Sequence, residues 1–223
     1  MRIFLALALF FTSFGVVEAY RPVLLPTQSQ LEVIVVEDPE IERTYHSLLE
    51  GFPHTYEFTS DVPFELFVEV LIPDIDEIER EMSAIIVREA TRGVAEVARL
   101  KGGETTWVSF YEPVGGNRYE RGPGYESRAE AGSYIVQVHT AENYGKYALT
   151  IGKKKNSDRL GYFELLGLLI DVKQFFGKSP LMIVQSPFVY VPIGLFLLTI
   201  FGYRWRRKVR EESLGASPIV DTQ

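Results

Sequence analysis

The stretch Phe64-Glu65-Leu66-Phe67-Val68-Glu69-Val70 decides the fold. Apolar side chains at 64, 66, 68 and 70 recur at every second position, with Glu65, Phe67 and Glu69 between them. That is the period of a β-strand with one buried and one wet face. Tyr134-Ile135-Val136-Gln137-Val138 carries the same alternation further along. Outward from these two, short apolar or alternating runs occupy 31–36, 43–48, 55–58, 64–72, 83–88, 94–100, 106–111, 134–138 and 147–151. Turn chemistry separates them: Asp38-Pro39, Glu50-Gly51-Phe52-Pro53, Lys101-Gly102-Gly103, Gly115-Gly116-Asn117 and Arg121-Gly122-Pro123-Gly124. Strands at this spacing with no helix between them predict an all-β fold, an antiparallel β-sandwich of jelly-roll type.

Composition narrows the function. The 223 residues are 46% hydrophobic and 24% charged, with a formal net charge of −7. The absence of cysteine excludes disulfides, thiolate metal sites and cysteine nucleophiles. Residues 20–155 hold 23 acidic against 14 basic side chains, a net of −9. Phosphate neutralisation needs clustered Lys and Arg, so nucleic acid is not expected as a partner.

Two hydrophobic segments predict the topology. Arg2 followed by uncharged residues 3–14, with Val17-Glu18-Ala19 behind them, reads as a signal peptide cut after Ala19. Residues 181–203 form an uncharged run of 23, of which 13 are Leu, Ile, Phe or Val, long enough to cross a bilayer. Pro187 falls near its first turn, where proline is tolerated, and Pro192 deeper, where it should kink the helix. Tyr190 at one side and Tyr203 and Trp205 at the other suit interfacial belts. Arg204, Arg206, Arg207, Lys208 and Arg210 follow at once, which places the 204–223 tail in the cytoplasm and residues 20–152 outside.

Residues 153–180 link the two. After Lys153-Lys154-Lys155, Ser157 or Asp158 can cap a helix over 160–176 that Gly177 ends. Phe163, Leu166, Leu169, Ile170 and Phe176 give it a broad apolar surface. It can lie on lipid with the lysines near phosphates, pack on the sandwich, or meet a partner's span.

The early stretch Tyr45-His46-Ser47-Leu48-Leu49-Glu50-Gly51-Phe52-Pro53-His54-Thr55-Tyr56-Glu57-Phe58 resembles the opening strands of the bacterial pre-peptidase C-terminal domain. The late stretches Ala131-Gly132-Ser133-Tyr134-Ile135-Val136-Gln137-Val138 and Asn143-Tyr144-Gly145-Lys146-Tyr147-Ala148-Leu149-Thr150-Ile151 are similar to its closing hairpin. The resemblance implies a jelly-roll-like sandwich over about 31–152 that accompanies surface or secreted proteins without catalysis. The order signal peptide, sandwich, single span and short basic tail also resembles the GOLD-domain cargo receptors. That implies, as the alternative, a cargo or membrane-complex adaptor.

Catalytic motifs are sparse. The three histidines are His46, His54 and His139. His46 and His54 on neighbouring strands, with Glu57, are the only arrangement that suggests zinc, and their spacing matches no known site. Asp74-Ile75-Asp76-Glu77-Ile78-Glu79 offers hard oxygens to calcium but lacks the glycine a calcium loop needs, so it reads as a solvated turn. Neither a cofactor nor an enzymatic activity is expected. Residues 111–125 mix Tyr111, Arg118, Tyr119, Arg121 and Tyr125 with glycine, the composition of a recognition loop. The competing reading is a long hairpin whose tyrosines pack on the sandwich. The sequence thus predicts a non-enzymatic, membrane-tethered binding module whose partners are the lipid bilayer and an unidentified protein.

Overall fold

A computed structural model describes residues 22–26, 28–75, 80–155 and 160–215. The signal segment, Ser157, Asp158, residues 76–79 of the acidic turn and the last eight residues lie outside the described residues.

Eleven strands make two sheets: β1 Pro22–Leu24, β2 Val33–Val35, β3 Arg43–Glu50, β4 His54–Ser60, β5 Phe64–Pro73, β6 Ser83–Glu89, β7 Val94–Leu100, β8 Val108–Glu112, β9 Asn117–Ala129, β10 Gly132–His139 and β11 Tyr144–Ile151. One sheet runs β1-β3-β11-β5-β9-β8 and the other β2-β4-β10-β6-β7. Only β6–β7 and β8–β9 are hairpins within a sheet, and every other connection crosses between sheets. That is the jelly-roll-like sandwich expected, with two differences. The short strands β1 and β2 pair parallel to β3 and β4. Strands β10 and β11 form no hairpin: each sits inside a different sheet.

The core is the alternation made real. Phe64, Leu66, Val68, Val70 and Ile72 of β5 point between the sheets with Tyr45, Leu49, Tyr147, Leu149 and Ile151. Tyr56, Phe58, Ala84, Ile86, Tyr134, Val136 and Val138 meet them from the other sheet. A polar bridge crosses this core. Tyr147 Oη lies 2.7 Å from Tyr56 Oη and 2.8 Å from His54 Nδ1, which is also 3.2 Å from Ser47 Oγ. Burial holds the Tyr147 phenol well above its usual pKa and pushes His54 down.

Strand β9, at 13 residues, crosses what the sequence read as a loop. Gly122 and Pro123 lie between the pairings Arg121↔Leu71 and Gly124↔Glu69, opposite Val70 alone. This is a β-bulge, where a missing proline N–H costs the ladder nothing. Glycine is required at 122 because a Cβ there would lie 2.4 Å from the Trp107 ring.

Helix α1, Tyr162–Phe175, lies on the outer face of the six-stranded sheet. Gly161 is its N-cap, and the predicted caps Ser157 and Asp158 lie outside the described residues. It ends as expected at Gly177, at φ +68°, with Gly177 N–H donating to Gln174 O and Lys178 N–H to Lys173 O. A 3-10 turn, Pro180–Gln185, leads to helix α2, Pro187–Gly215. The first six residues of the predicted span are therefore outside the long helix, which starts at Pro187 and continues through Pro192. The stretch Pro187–Glu211 is long and apolar enough to cross a membrane.

Tyr147→Phe should lower stability by about 1–3 kcal/mol, because it strips a partner from two buried polar groups. Urea unfolding of the full chain in detergent measures this. An unchanged midpoint would show that the bridge contributes nothing.

Candidate functional site: the outer sheet face and its junction with the span

Residues between the core-facing positions of the six-stranded sheet point away from the sandwich: His46 on β3, Phe67, Glu69 and Leu71 on β5, Phe110 and Glu112 on β8, Tyr119 and Arg121 on β9, Ala148 on β11. This face is too apolar to stay bare, and α1 covers part of it. Val172 and Phe176 pack on Leu71, Tyr119 and Ala148, and Phe175 and Phe110 flank them. His46 is sealed beneath. Its Nδ1 lies 3.2 Å from Thr44 O and its Nε2 2.7 Å from Tyr119 Oη. A carbonyl only accepts, so Nδ1 carries the proton and Nε2 accepts from the tyrosine. Burial pushes the His46 pKa down to about 4, so the ring stays neutral.

The uncovered part forms a cleft of about 260 Å³. Phe67, Leu71, Phe110 and Tyr119 are among its apolar lining, and Glu42, Glu69, Glu112, Arg121 and Lys153 are its charged groups. Arg121 pairs with Glu69 at 3.0 Å and lies 4.2 Å above the Phe110 ring. Burial raises the pKa of Glu42 and of Glu69 above the ordinary carboxylate value. Glu112 is only 5% exposed and accepts from the backbone N–H groups of Val114 and Gly115. Burial nevertheless raises it to about 7, against the pull of those bonds and of Lys173.

Beside Glu112 the tip of the β8–β9 hairpin docks on the membrane-proximal segment. Lys173 of α1, with no exposed surface, donates to Gly116 O at 3.1 Å and to Gln185 Oε1 at 3.2 Å. Burial lowers its pKa to about 8, assisted by Lys178 and opposed by Glu112. Ser186 Oγ donates to Val114 O. Gly116, at φ +67°, sits where L side chains are strained, and a Cβ there would lie a tight 3.0 Å from Gln185 O. Lys146 of β11 donates to Phe175 O at the end of α1.

A second fastening involves Pro192. It has no N–H to give the carbonyl four residues back, that of Phe188. The Tyr162 hydroxyl donates to that carbonyl at 2.9 Å, across from α1. The proline that would weaken the long apolar helix is thereby compensated from α1.

The residues expected to act separate into groups. Of the loop residues, Tyr111 and Arg118 are exposed, whereas Tyr119 is buried under α1 and Tyr125 packs half-buried against the core. The segment is a hairpin packed through Tyr119 and Tyr125, with Tyr111 exposed, and Arg121 lines the cleft. On α1, Leu169 and Phe176 are buried and cannot face lipid, Leu166 and Ile170 turn half-buried toward α2, and Phe163 is 84% exposed. Tyr190, Tyr203 and Trp205 on α2 are exposed, as are Arg204, Arg206, Arg207, Lys208 and Arg210. Two of the linker lysines face carboxylates on the sandwich: Lys153 pairs with Glu126 and Lys154 with Glu40. His46 lies outside the sandwich and His54 inside it, so the two do not converge. No three metal-ligating side chains cluster among the described residues. Sequence reasoning missed Glu112 and Lys173, because charged residues in these patterns read as solvated positions.

The fold defines a two-sheet β-sandwich domain followed by a helix able to cross a membrane. No family model matches the chain, and no curated protein matches it. The solved structures to which it is similar include the following three. The pre-peptidase C-terminal domain of collagenase from Bacillus anthracis is 14% identical over 61% of this chain and 96% of that one, with a TM-score of 0.30. The Yersinia pseudotuberculosis-derived mitogen is 15% identical over 53% and 93%, with a TM-score of 0.35. Aeromonas hydrophila PliG, a periplasmic inhibitor of g-type lysozyme, is 9% identical over 60% and 98%, with a TM-score of 0.34. Likeness at this level extends to the sandwich fold alone.

The buried acid fixes a pH dependence. Burial lifts the Glu112 carboxyl from its ordinary 4.5 to about 7, so the folded state binds more protons between those values. Its contribution to stability is present below about pH 4.5 and is lost as pH rises through 7. His46, depressed to about 4, acts oppositely from pH 4 to 6.5. Glu112→Gln should remove the first effect, a change on the order of 2–3 kcal/mol across the window. Thermal melts of both chains from pH 4.5 to 8 measure it, and parallel profiles would contradict it.

The Tyr162 bond predicts a coupling. Tyr162→Phe should cost about 1–2 kcal/mol in the native chain and much less with Pro192→Ala, where residue 192 regains its N–H. A double-mutant cycle on unfolding in detergent tests this, and additive effects would refute it.

Proposed function

We propose that the chain is a single-pass membrane protein that displays its sandwich outside the membrane as a non-enzymatic binding or accessory module. In this reading a signal peptide is removed after Ala19, α2 crosses the bilayer, and Arg204, Arg206, Arg207, Lys208 and Arg210 hold the tail in the cytoplasm. The observation that carries it is the fastening of the sandwich to the start of the apolar helix through Lys173, Ser186 and Tyr162. A domain held this way keeps its cleft at a fixed height and angle above the membrane, as suits capture of a protein partner there. The cleft, with Tyr111 and Arg118 exposed on the adjoining hairpin, is the surface assigned to that partner. The non-enzymatic part draws support from the histidines: His46 and His54 are tied to hydroxyl groups in closed surroundings.

Helix length adds depth to this reading. From Pro187 to Tyr203 the helix rises about 25 Å, against about 30 Å of hydrocarbon. The shortfall is made up on the sandwich side, where Leu181 is 80% exposed, Val184 and Phe163 are exposed, and no charge intervenes in the 3-10 turn. These side chains sink into the leaflet, and α1 rests at its surface.

Protease added outside spheroplasts or sealed cells should digest the sandwich and spare the 204–223 tail, read with an epitope at each end. Protection of the sandwich would overturn the orientation. Crosslinking from position 111 or 118 in solubilised membranes should capture a protein that Glu69→Lys with Glu112→Gln releases.

A further inference from the structure

Helix α1 carries three stripes. Leu165, Leu169, Val172 and Phe176 face the sandwich side, and Glu164, Asp171 and Gln174 face outward. The third stripe, Tyr162, Leu166 and Ile170 at four-residue spacing, opens on a groove of about 460 Å³. Its opposite wall is α2, with Val189, Ile193 and Phe196 on one side of the helix.

The groove is apolar along its length. Its one hydroxyl with a described role, that of Tyr162, already donates to Phe188 O. A guest therefore needs no polar group inside it. The walls also choose between apolar guests. Close approach of a second membrane helix uses Gly, Ala, Ser or Thr at the contact, and the lining residues include none of these. Large branched and aromatic walls leave a channel suited to a thin, flexible chain. The groove continues into the exposed apolar surface of α2 at Ile193, Phe196 and Leu197. It follows the first turns of α2, and Leu181, in the 3-10 turn that leads to α2, is 80% exposed.

We propose that this groove is a lipid site that holds one acyl chain of the leaflet on the sandwich side, an assignment that rests on the membrane-anchored reading. The chain fills the wedge between α1 and α2, and the Tyr162 bond keeps the wedge open at a fixed angle. Sandwich orientation then depends on a lipid as well as on protein contacts.

The test uses the full chain purified in detergent and dimyristoyl phosphatidylcholine as probe. Native mass spectrometry should find one phosphatidylcholine retained per chain. Ile170→Trp and, independently, Ile193→Trp should reduce that occupancy at least tenfold by filling the groove, whereas Ile170→Leu should keep it. Thermal melting shows which variants fold, and either tryptophan variant suffices. Equal retention in a folded tryptophan variant overturns the lipid site. A lipid-free dimer that Ile193→Trp dissolves also overturns it, by placing a second span in the groove. If the unaltered chain instead stays in the soluble fraction without detergent, the anchored reading fails first, and fractionation reports that separately.

Discussion

The structure depends on one burial: α1 must cover the aromatic outer face of the six-stranded sheet. An antiparallel sheet can leave one face in water when that face is polar. Here the outward positions include Leu71, Phe110, Tyr119 and Ala148, and the helix answers with Val172, Phe175 and Phe176. Each large side chain so buried is worth about 1.5–3 kcal/mol. That is enough to make α1 part of the sandwich instead of a free linker. With α1 fixed, Lys173 can reach the hairpin tip and Tyr162 the span.

The charged groups at this junction set its specificity more than its stability. Glu112 and Lys173 are both buried, each pushed by that burial toward its neutral form. A buried charged group of this kind seldom gains over a hydrophobic replacement, but leaving it without its hydrogen-bond partners is costly. What it supplies is register. The lysine amine finds acceptors at Gly116 O and Gln185 Oε1 only when the hairpin, α1 and the 3-10 turn meet in one arrangement. Apolar packing alone would tolerate sliding of the helix along the sheet.

Much of this was legible in the sequence, because the alternation in β5 and β10 is strict and turn residues bound most strands. Strand β9 was not. Gly122-Pro123-Gly124 carries every local sign of a loop, and only the pairing with β5, which absorbs the extra residue opposite Val70, turns it into a strand. The outward face of β5 was equally deceptive. Glu65 and Glu69 suggest water, yet Phe67 and Leu71 on the same face help line a cleft and the floor under α1. For α1, apolar residues on all sides concealed a division of labour. Val172 and Phe176 serve the sheet, Leu165 and Leu169 the hairpin tip and the 3-10 turn, and Leu166 and Ile170 the groove. Spacing by three and four distinguishes such stripes only once one neighbour is known.

The cleft and the junction with the long apolar helix share residues. Val114 lines the cleft and its carbonyl receives the Ser186 hydroxyl at the start of the span. Glu112 lines it too, and its charge acts on Lys173. The hairpin tip that joins them has no slack, since a Cβ on Gly115 would lie 2.8 Å from Glu112 Oε2 and one on Gly116 would crowd Gln185. A guest that moves the Glu112 carboxylate must therefore shift the tip, and the tip cannot shift without disturbing the bonds to Gln185 and Ser186. The sandwich is thus a poor candidate for a domain swinging freely on a tether. Its geometry suits a platform on which the cleft and the base of the long apolar helix are held by the same few hydrogen bonds.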